Sequence, residues 1–129
     1  MTTPDYYKYD DGETHFECFD ISRYYSGDWA QVIQYVFRWQ KKGGVEDLKK
    51  ALACAKDAWY NGIKCRILTS NHIARKAIAR KVIKLDNTHY ANASEFWCWL
   101  INIRYSQDCI DLLRAMIEKA RANNKSKRV

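Results

Sequence analysis

The sequence predicts an all-α protein of about five helices: two antiparallel helical hairpins flanking a basic helix, preceded by an acidic N-terminal arm. Breakers are scarce, with one proline, Pro4, and five glycines in 129 residues, which disfavours a turn-rich β-sandwich. Apolar residues recur at three- and four-residue spacing in five stretches, the period of a helix buried along one face. Hydrophobic residues make up 47 % of a chain whose length suits one domain, so the core those faces need can form within one unit.

Residues 1–14 are polar, acidic and tyrosine-rich and read as a flexible arm, 15–124 as a single helical domain, and 125–129 as a basic tail. Within 15–25, Phe16, Phe19 and Ile21 offer packing for a short helix or an extended segment. The first clear helix covers about 28–41. Trp29, Val32, Ile33, Val36 and Phe37 form its apolar stripe, Ser26 or Asp28 can cap its start, and Gly43-Gly44 stops it. The second covers 45–60, with Val45, Leu48, Ala51, Leu52, Ala55 and Trp59 on one face and Glu46 and Asp47 in a first turn that favours acids. A short glycine turn between two amphipathic helices makes an antiparallel hairpin.

A third helix, about 71–85, follows a Thr69-Ser70 cap and has Ile73, Ala77, Ile78 and Val82 as its apolar side. Residues 86–93 read as a polar loop ending in Asn92 and Glu95, which have capping-box spacing. A fourth helix, 94–106, carries Phe96, Trp97, Trp99, Leu100 and Ile103, and runs almost directly into a fifth, 107–123, striped by Cys109, Leu112, Leu113, Met116, Ile117 and Ala120. Arg104-Tyr105 with Asp111-Leu112 echoes Arg38-Trp39 with Asp47-Leu48, which suggests either a duplicated hairpin or chance similarity of two amphipathic pairs.

The net charge of +7 is unevenly placed. Residues 1–28 hold seven acids against two bases, a net −5, and residues 29–129 a net +12. A basic body attracts phosphates, nucleic acid or acidic protein surfaces, and the acidic segment can fold back on it or meet a separate partner. No apolar run approaches a membrane span, and the N-terminus lacks the basic-then-apolar pattern of a signal peptide, so a cytoplasmic protein without a membrane partner is expected. The five cysteines have no C-x-x-C spacing. Reduced thiols, with Cys54 and Cys109 on apolar faces, are therefore expected rather than a disulfide framework or a metal site, and no cofactor is expected.

Three blocks stand out in the hairpin: Ile33-Gln34-Tyr35-Val36-Phe37-Arg38, then Lys41-Lys42-Gly43-Gly44, then Glu46-Asp47-Leu48-Lys49-Lys50-Ala51. Together they resemble a short helical domain of unknown function common in tailed-phage genomes, whose pattern is an Ile-x-Tyr-x-x-Arg helix, a Lys-Gly turn and a Glu-Asp-Leu-x-Lys-Ala helix. The resemblance covers about residues 28–60. One group carrying that domain is a phage nucleotide kinase without the usual phosphate-binding loop, so the resemblance implies a phage protein acting in the host bacterial cytoplasm and a nucleotide-linked activity. The chain departs from the pattern where the family has Gly-Asn and Lys, reading Ala30-Gln31 and Gln34, and where a Trp-Tyr-Leu run is replaced by Leu52-Ala53-Cys54. If the Asn and Lys serve a ligand, that activity is lost here.

Arg38, Lys42, Lys49 and Lys50 are the candidate anion or phosphate ligands, with Arg38 suited to planar two-point contact. The competing structural role, preferred because acids and bases so spaced neutralise each other first, pairs Arg38 with Glu46 or Asp47 across the turn. Tyr35 and Trp39 are candidates for stacking on bases or, as large aromatics more often do, for burial. Arg75, Lys76, Arg80, Lys81 and Lys84 put five positive charges in one helix, either a partner- or nucleic-acid-binding face or an ordinary solvated one. The tail bases Lys125, Lys127 and Arg128 would add nonspecific attraction. No Ser-His-Asp set, G-x-x-x-x-G-K or G-x-G-x-x-G motif is readable, so catalytic residues are unassigned.

The leading expectation is a phage accessory protein that binds a host protein or nucleoprotein complex, as an anti-defence or anti-CRISPR type inhibitor. The alternatives are a nucleotide-binding or nucleoside monophosphate kinase-like protein, and a nonspecific nucleic-acid-binding helical module. A homodimer would complete the apolar hairpin face if the chain itself does not.

Overall fold

The computed structural model describes residues 3–103 and 105–127, with side chains through 124. Among the described residues it is mostly helical, with six α-helices and a two-stranded sheet: β1 (Lys8–Asp10), β2 (His15–Glu17), α1 (Phe19–Ser22), α2 (Gly27–Arg38), α3 (Val45–Tyr60), α4 (His72–Asn87), α5 (Ser94–Ile101) and α6 (Gln107–Lys127). The all-α expectation holds, and α1 is the helix beyond the expected five. No helix among the described residues is long and apolar enough to cross a membrane.

The N-terminal segment corrects the expectation of a flexible arm. β1 and β2 pair antiparallel, with Lys8 opposite Glu17, Tyr9 opposite Phe16 and Asp10 opposite His15. The Tyr9 and Phe16 rings stack at 4.8 Å, and both are buried, which is the cross-strand packing that stabilises a short ribbon. Carboxylates close its turn: Asp10 accepts from the Gly12 N–H, and Asp11 from those of Glu13 and Thr14. The acids that suggested disorder are the turn's hydrogen-bond acceptors.

The α2 stripe Trp29, Val32, Ile33, Val36 and Phe37 is wholly buried in one cluster with Ala51, Ala55 and Ala58 of α3, so the first hairpin is the centre of the core. The second expected pair is looser: α5 packs chiefly on α4, and α6 chiefly on α3. Helix α5 ends at Ile101 and α6 begins at Gln107, so the two are not continuous. Asp111 is exposed where Asp47 is buried, and Arg104, the other half of the suggested repeat, lies outside the described residues. Helix α6 continues past 123 to Lys127, whereas the side chains of Lys125, Lys127 and Arg128 lie outside the described ones.

Three local expectations are corrected. Asn71 caps α4, its side chain accepting from the Ala74 N–H at 3.0 Å, in place of Thr69-Ser70. Ser26 sits at the start of α2 without a side-chain capping bond. The Asn92–Glu95 capping box does not form, because Asn92 has a positive φ and Ala93 occupies the cap position. His89, Ala91 and Asn92 are all left-handed, with φ of 52°, 58° and 49°, a conformation that non-glycine residues adopt at a cost. Two indoles hold this loop. Trp39 Nε1–H donates to the Ala91 carbonyl at 2.7 Å, and Trp97 Nε1–H to the Tyr90 carbonyl at 2.9 Å.

All five cysteines are thiols. Cys109 is buried as expected, whereas Cys54 is half-buried, with Sγ 3.2 Å from Gln31 Oε1. Burial pushes the Cys65 thiol up to about 12, which leaves little reactive thiolate near neutral pH.

Candidate binding face

Helix α4 turns Ile78, Val82 and Leu85 into the core. The opposite side, where residues 73, 76, 80 and 83 recur at helical spacing, carries Ile73, Lys76, Arg80 and Ile83, all exposed. Ile73 is 82 % exposed, which corrects its assignment to the apolar core face: it lies on the far side of the helix from the stripe that packs. Trp59 of α3 is likewise exposed, and Ala58 is buried beside it.

The loop between α3 and α4 extends this face. Three hydrogen bonds pin it: Trp29 Nε1–H to the Ile63 carbonyl at 2.9 Å, the Leu68 N–H to the Tyr24 carbonyl at 2.8 Å, and the Cys65 N–H to Ser106 Oγ at 3.3 Å. Cys65 points inward. Ile63, Lys64, Arg66 and Leu68 line a shallow depression on the outside, together with Ser26 and Gly62. From Ala58 through Leu85 the chain has seven bases and no acid. Within it lie Trp59, Tyr60, Ile63, Leu68, Ile73 and Ile83, six of the seven large hydrophobic side chains exposed among the described residues. A stretch without acids that also exposes aliphatic groups differs from an ordinary solvated helix, on which charges of both signs alternate.

Of the five predicted cations of α4, Arg75, Lys76 and Arg80 are exposed, and Lys81 and Lys84 half-buried. Arg75 donates to the Thr69 carbonyl at 2.9 Å. Lys84 is the one with an ion-pair partner among the described residues, lying 3.3 Å from Asp11 and 3.7 Å from Glu13. The acidic segment thus does fold back on the basic body, at the C-terminal end of α4. The Tyr9 hydroxyl, donating to Asp11 at 2.6 Å, together with the Thr14 N–H, holds the Asp11 carboxyl well below the usual carboxylate range. Asp11 is therefore ionised at neutral pH, where Lys84 is a cation.

The predicted hairpin cluster is distributed differently. Arg38 makes a two-point pair with Asp47, Nε to Oδ2 at 3.1 Å and Nη2 to Oδ1 at 3.0 Å, while Nη1 donates to the Tyr7 hydroxyl at 2.9 Å. Burial pulls the Arg38 pKa down, but the bonds to Asp47 and Tyr7 outweigh it, and the pKa is raised. Asp47 is 1 % exposed and also accepts from the Gly43 N–H, so it ties the turn to both helices. This is the structural role that the spacing suggested, with Asp47 rather than Glu46 as the partner. Glu46 pairs instead with Lys49 at 3.1 Å. Lys42 lies 5.1 Å from the centre of the Tyr6 ring, and Lys50 5.8 Å from that of Tyr35, whose face also meets the Arg38 guanidinium at 4.9 Å. Tyr35 and Trp39 are both half-buried. Tyr35 is engaged by cations, and Trp39 packs with Leu48, Ile117 and Ala120.

Gly43 has a role beyond stopping α2. A Cβ there would fall on the Asp47 carboxylate, so the pair requires a residue without one. Gly43→Ala is expected to cost about 1–3 kcal/mol, the range for overpacking, and to leave Lys49→Ala, on the exposed side of the same turn, near neutral by comparison. Thermal unfolding of the two variants checks this.

One constellation was not readable in the sequence. Ser94 Oγ lies 2.7 Å from Asp86 Oδ1 and 2.8 Å from its carbonyl, with His89 Nδ1 at 3.1 Å. The serine stands between carboxylate and imidazole, so the carboxylate does not orient the imidazole as a hydrolytic triad requires. The hydroxyl ties the start of α5 to the end of α4.

The fold and its surfaces together define a small helical protein with one cationic, partly aliphatic face. Comparison with protein-family models, curated proteins and solved structures gives no match for this chain.

Proposed function

We propose that the chain acts by binding, as a phage accessory protein that engages a host protein or nucleoprotein complex through the cationic face of α4 and the loop before it. One observation carries this reading: the acid-free stretch from Ala58 to Leu85, with Lys76 and Arg80 exposed between Ile73 and Ile83. Cations without nearby acids attract an anionic surface from a distance, and exposed apolar groups beside them add short-range contact area. The phage context rests on the resemblance of the α2–α3 hairpin. An inhibitor of a defence or CRISPR effector is the form of binding protein this reading favours, since such targets present acidic edges or bound nucleic acid. The nucleotide-binding alternative would need Arg38 to leave Asp47, which would strand a buried carboxylate.

Affinity capture from host lysate, with nuclease present and mass-spectrometric readout, tests the proposal. A protein partner should be retained by the wild-type chain and lost, at least tenfold, when Arg75, Lys76, Arg80 and Lys81 are all changed to Glu. Equal retention by the charge-reversed variant would contradict it.

A further inference from the structure

We infer that the partner of this face is an acidic amphipathic helix, lying along the Ile73, Lys76, Arg80, Ile83 stripe of α4. This rests on the binding role proposed above and specifies the chemistry of its target.

The stripe has a cation pair in the middle and an aliphatic residue at each end. At about 1.5 Å rise per residue the two isoleucines stand about 15 Å apart along the helix. A partner helix with carboxylates three or four residues apart would meet Lys76 and Arg80, and apolar side chains one to two turns to either side would cover Ile73 and Ile83. A phosphate backbone alone would satisfy the cations but leave both isoleucines in water, whereas covering them removes apolar surface from solvent.

The chain already shows this recognition on itself. At the C-terminal end of α4, the β1–β2 segment sets Asp11 and Glu13 against Lys84 while the adjacent Tyr9 is buried. Where its own sequence covers it, the end of α4 thus meets an acidic turn beside a buried aromatic residue. The remaining length, from Ile73 to Ile83, exposes cations and aliphatic groups without an ion-pair partner among the described residues, with Asp20 on its flank, lining a depression with Ala74, Ala77 and Lys81.

Fluorescence anisotropy with four probes tests the inference. The probes are a labelled 20-residue synthetic helix bearing Glu and Leu at these spacings, its Leu-to-Ser counterpart of equal charge, a 20-nucleotide single strand, and, as competitor, phosphatidylglycerol vesicles. The Glu/Leu helix should bind at least tenfold tighter than its Ser counterpart, and it should lose at least tenfold with either Ile73→Ser/Ile83→Ser or Lys76→Glu/Arg80→Glu. The two isoleucines are exposed, so their replacement leaves the fold intact, which circular dichroism verifies. The inference is overturned if the Glu/Leu helix does not bind at millimolar concentration, if the isoleucine variant binds it unchanged, or if the oligonucleotide or vesicles bind more tightly. When Lys76→Glu/Arg80→Glu weakens the oligonucleotide or vesicles but the isoleucine variant weakens nothing, the cationic-face reading survives without the acidic helix. Charge reversal that weakens no probe removes both.

Discussion

Arg38→Ala is expected to lower the unfolding free energy by about 3–5 kcal/mol, the cost of removing one partner from a buried ion pair. The Asp47 carboxylate is 1 % exposed, and without the guanidinium it keeps only the Gly43 N–H among its observed partners. Tyr7 loses its bond from Arg38 as well, so the N-terminal segment loosens from α2. For a chain of 129 residues the change amounts to a fall in melting temperature of about 10–20 °C. Asp47→Ala should cost a similar amount, and the double variant clearly less than the sum of the two, because each single change leaves the other charge stranded. Denaturant unfolding of the three variants measures the coupling. Additive costs would mean that the pair holds nothing together.

Trp97→Ala is expected to cost about 3–5 kcal/mol, the range for truncating a large buried aromatic. Trp97 is fully buried, meets Phe37 and Phe96 edge-on, and donates from Nε1 to the Tyr90 carbonyl. The variant therefore loses both packing and one of two bonds that hold the loop containing left-handed His89, Ala91 and Asn92. Trp97→Phe separates these effects: it retains most of the apolar contact and loses the donor, and should cost roughly 1–2 kcal/mol, about the value of a hydrogen bond whose acceptor is left without its donor. Faster amide exchange in residues 88–94 than elsewhere in Trp97→Phe would locate the loss in that loop.

Much of this arrangement is legible in the residues. The α2 stripe keeps a strict three- and four-residue spacing, and every member is buried. Helix α3 was readable to its ends because Gly43-Gly44 precedes it and acids occupy its first turn. The β hairpin was not, since strands of three residues are too short for an alternating pattern to separate from noise. The loop with left-handed His89, Ala91 and Asn92 contains no glycine, so no residue type announces it; the two indoles that hold it come from Trp39, just past α2, and from Trp97 of α5. Ile73 was misplaced because it lies four residues before Ala77 and looks like part of the same face, whereas the packed stripe runs through Ile78, Val82 and Leu85.

The candidate face was half legible. The five cations of α4 were visible as a cluster, but the pairing of Lys84 with Asp11 and Glu13 depends on the turn of a hairpin that the sequence did not reveal. The contribution of Ile63, Lys64, Arg66 and Leu68 was missed because they fall in a loop, where helical periodicity has nothing to say. The absence of acids from Ala58 to Leu85 was the available signal, and it crosses an element boundary. At Arg38 the ambiguity between ligand site and structural pair was inherent in the residues, because a guanidinium that can hold a phosphate in two-point fashion holds a carboxylate equally well.

Amide hydrogen exchange of the wild-type chain, alone and in the complex recovered from host lysate, tests the central claim most directly. The account predicts protection confined to α4 and the loop from Ile63 to Leu68. Protection centred on the α2–α3 turn around Arg38, Lys42 and Lys50, with α4 unchanged, would contradict it.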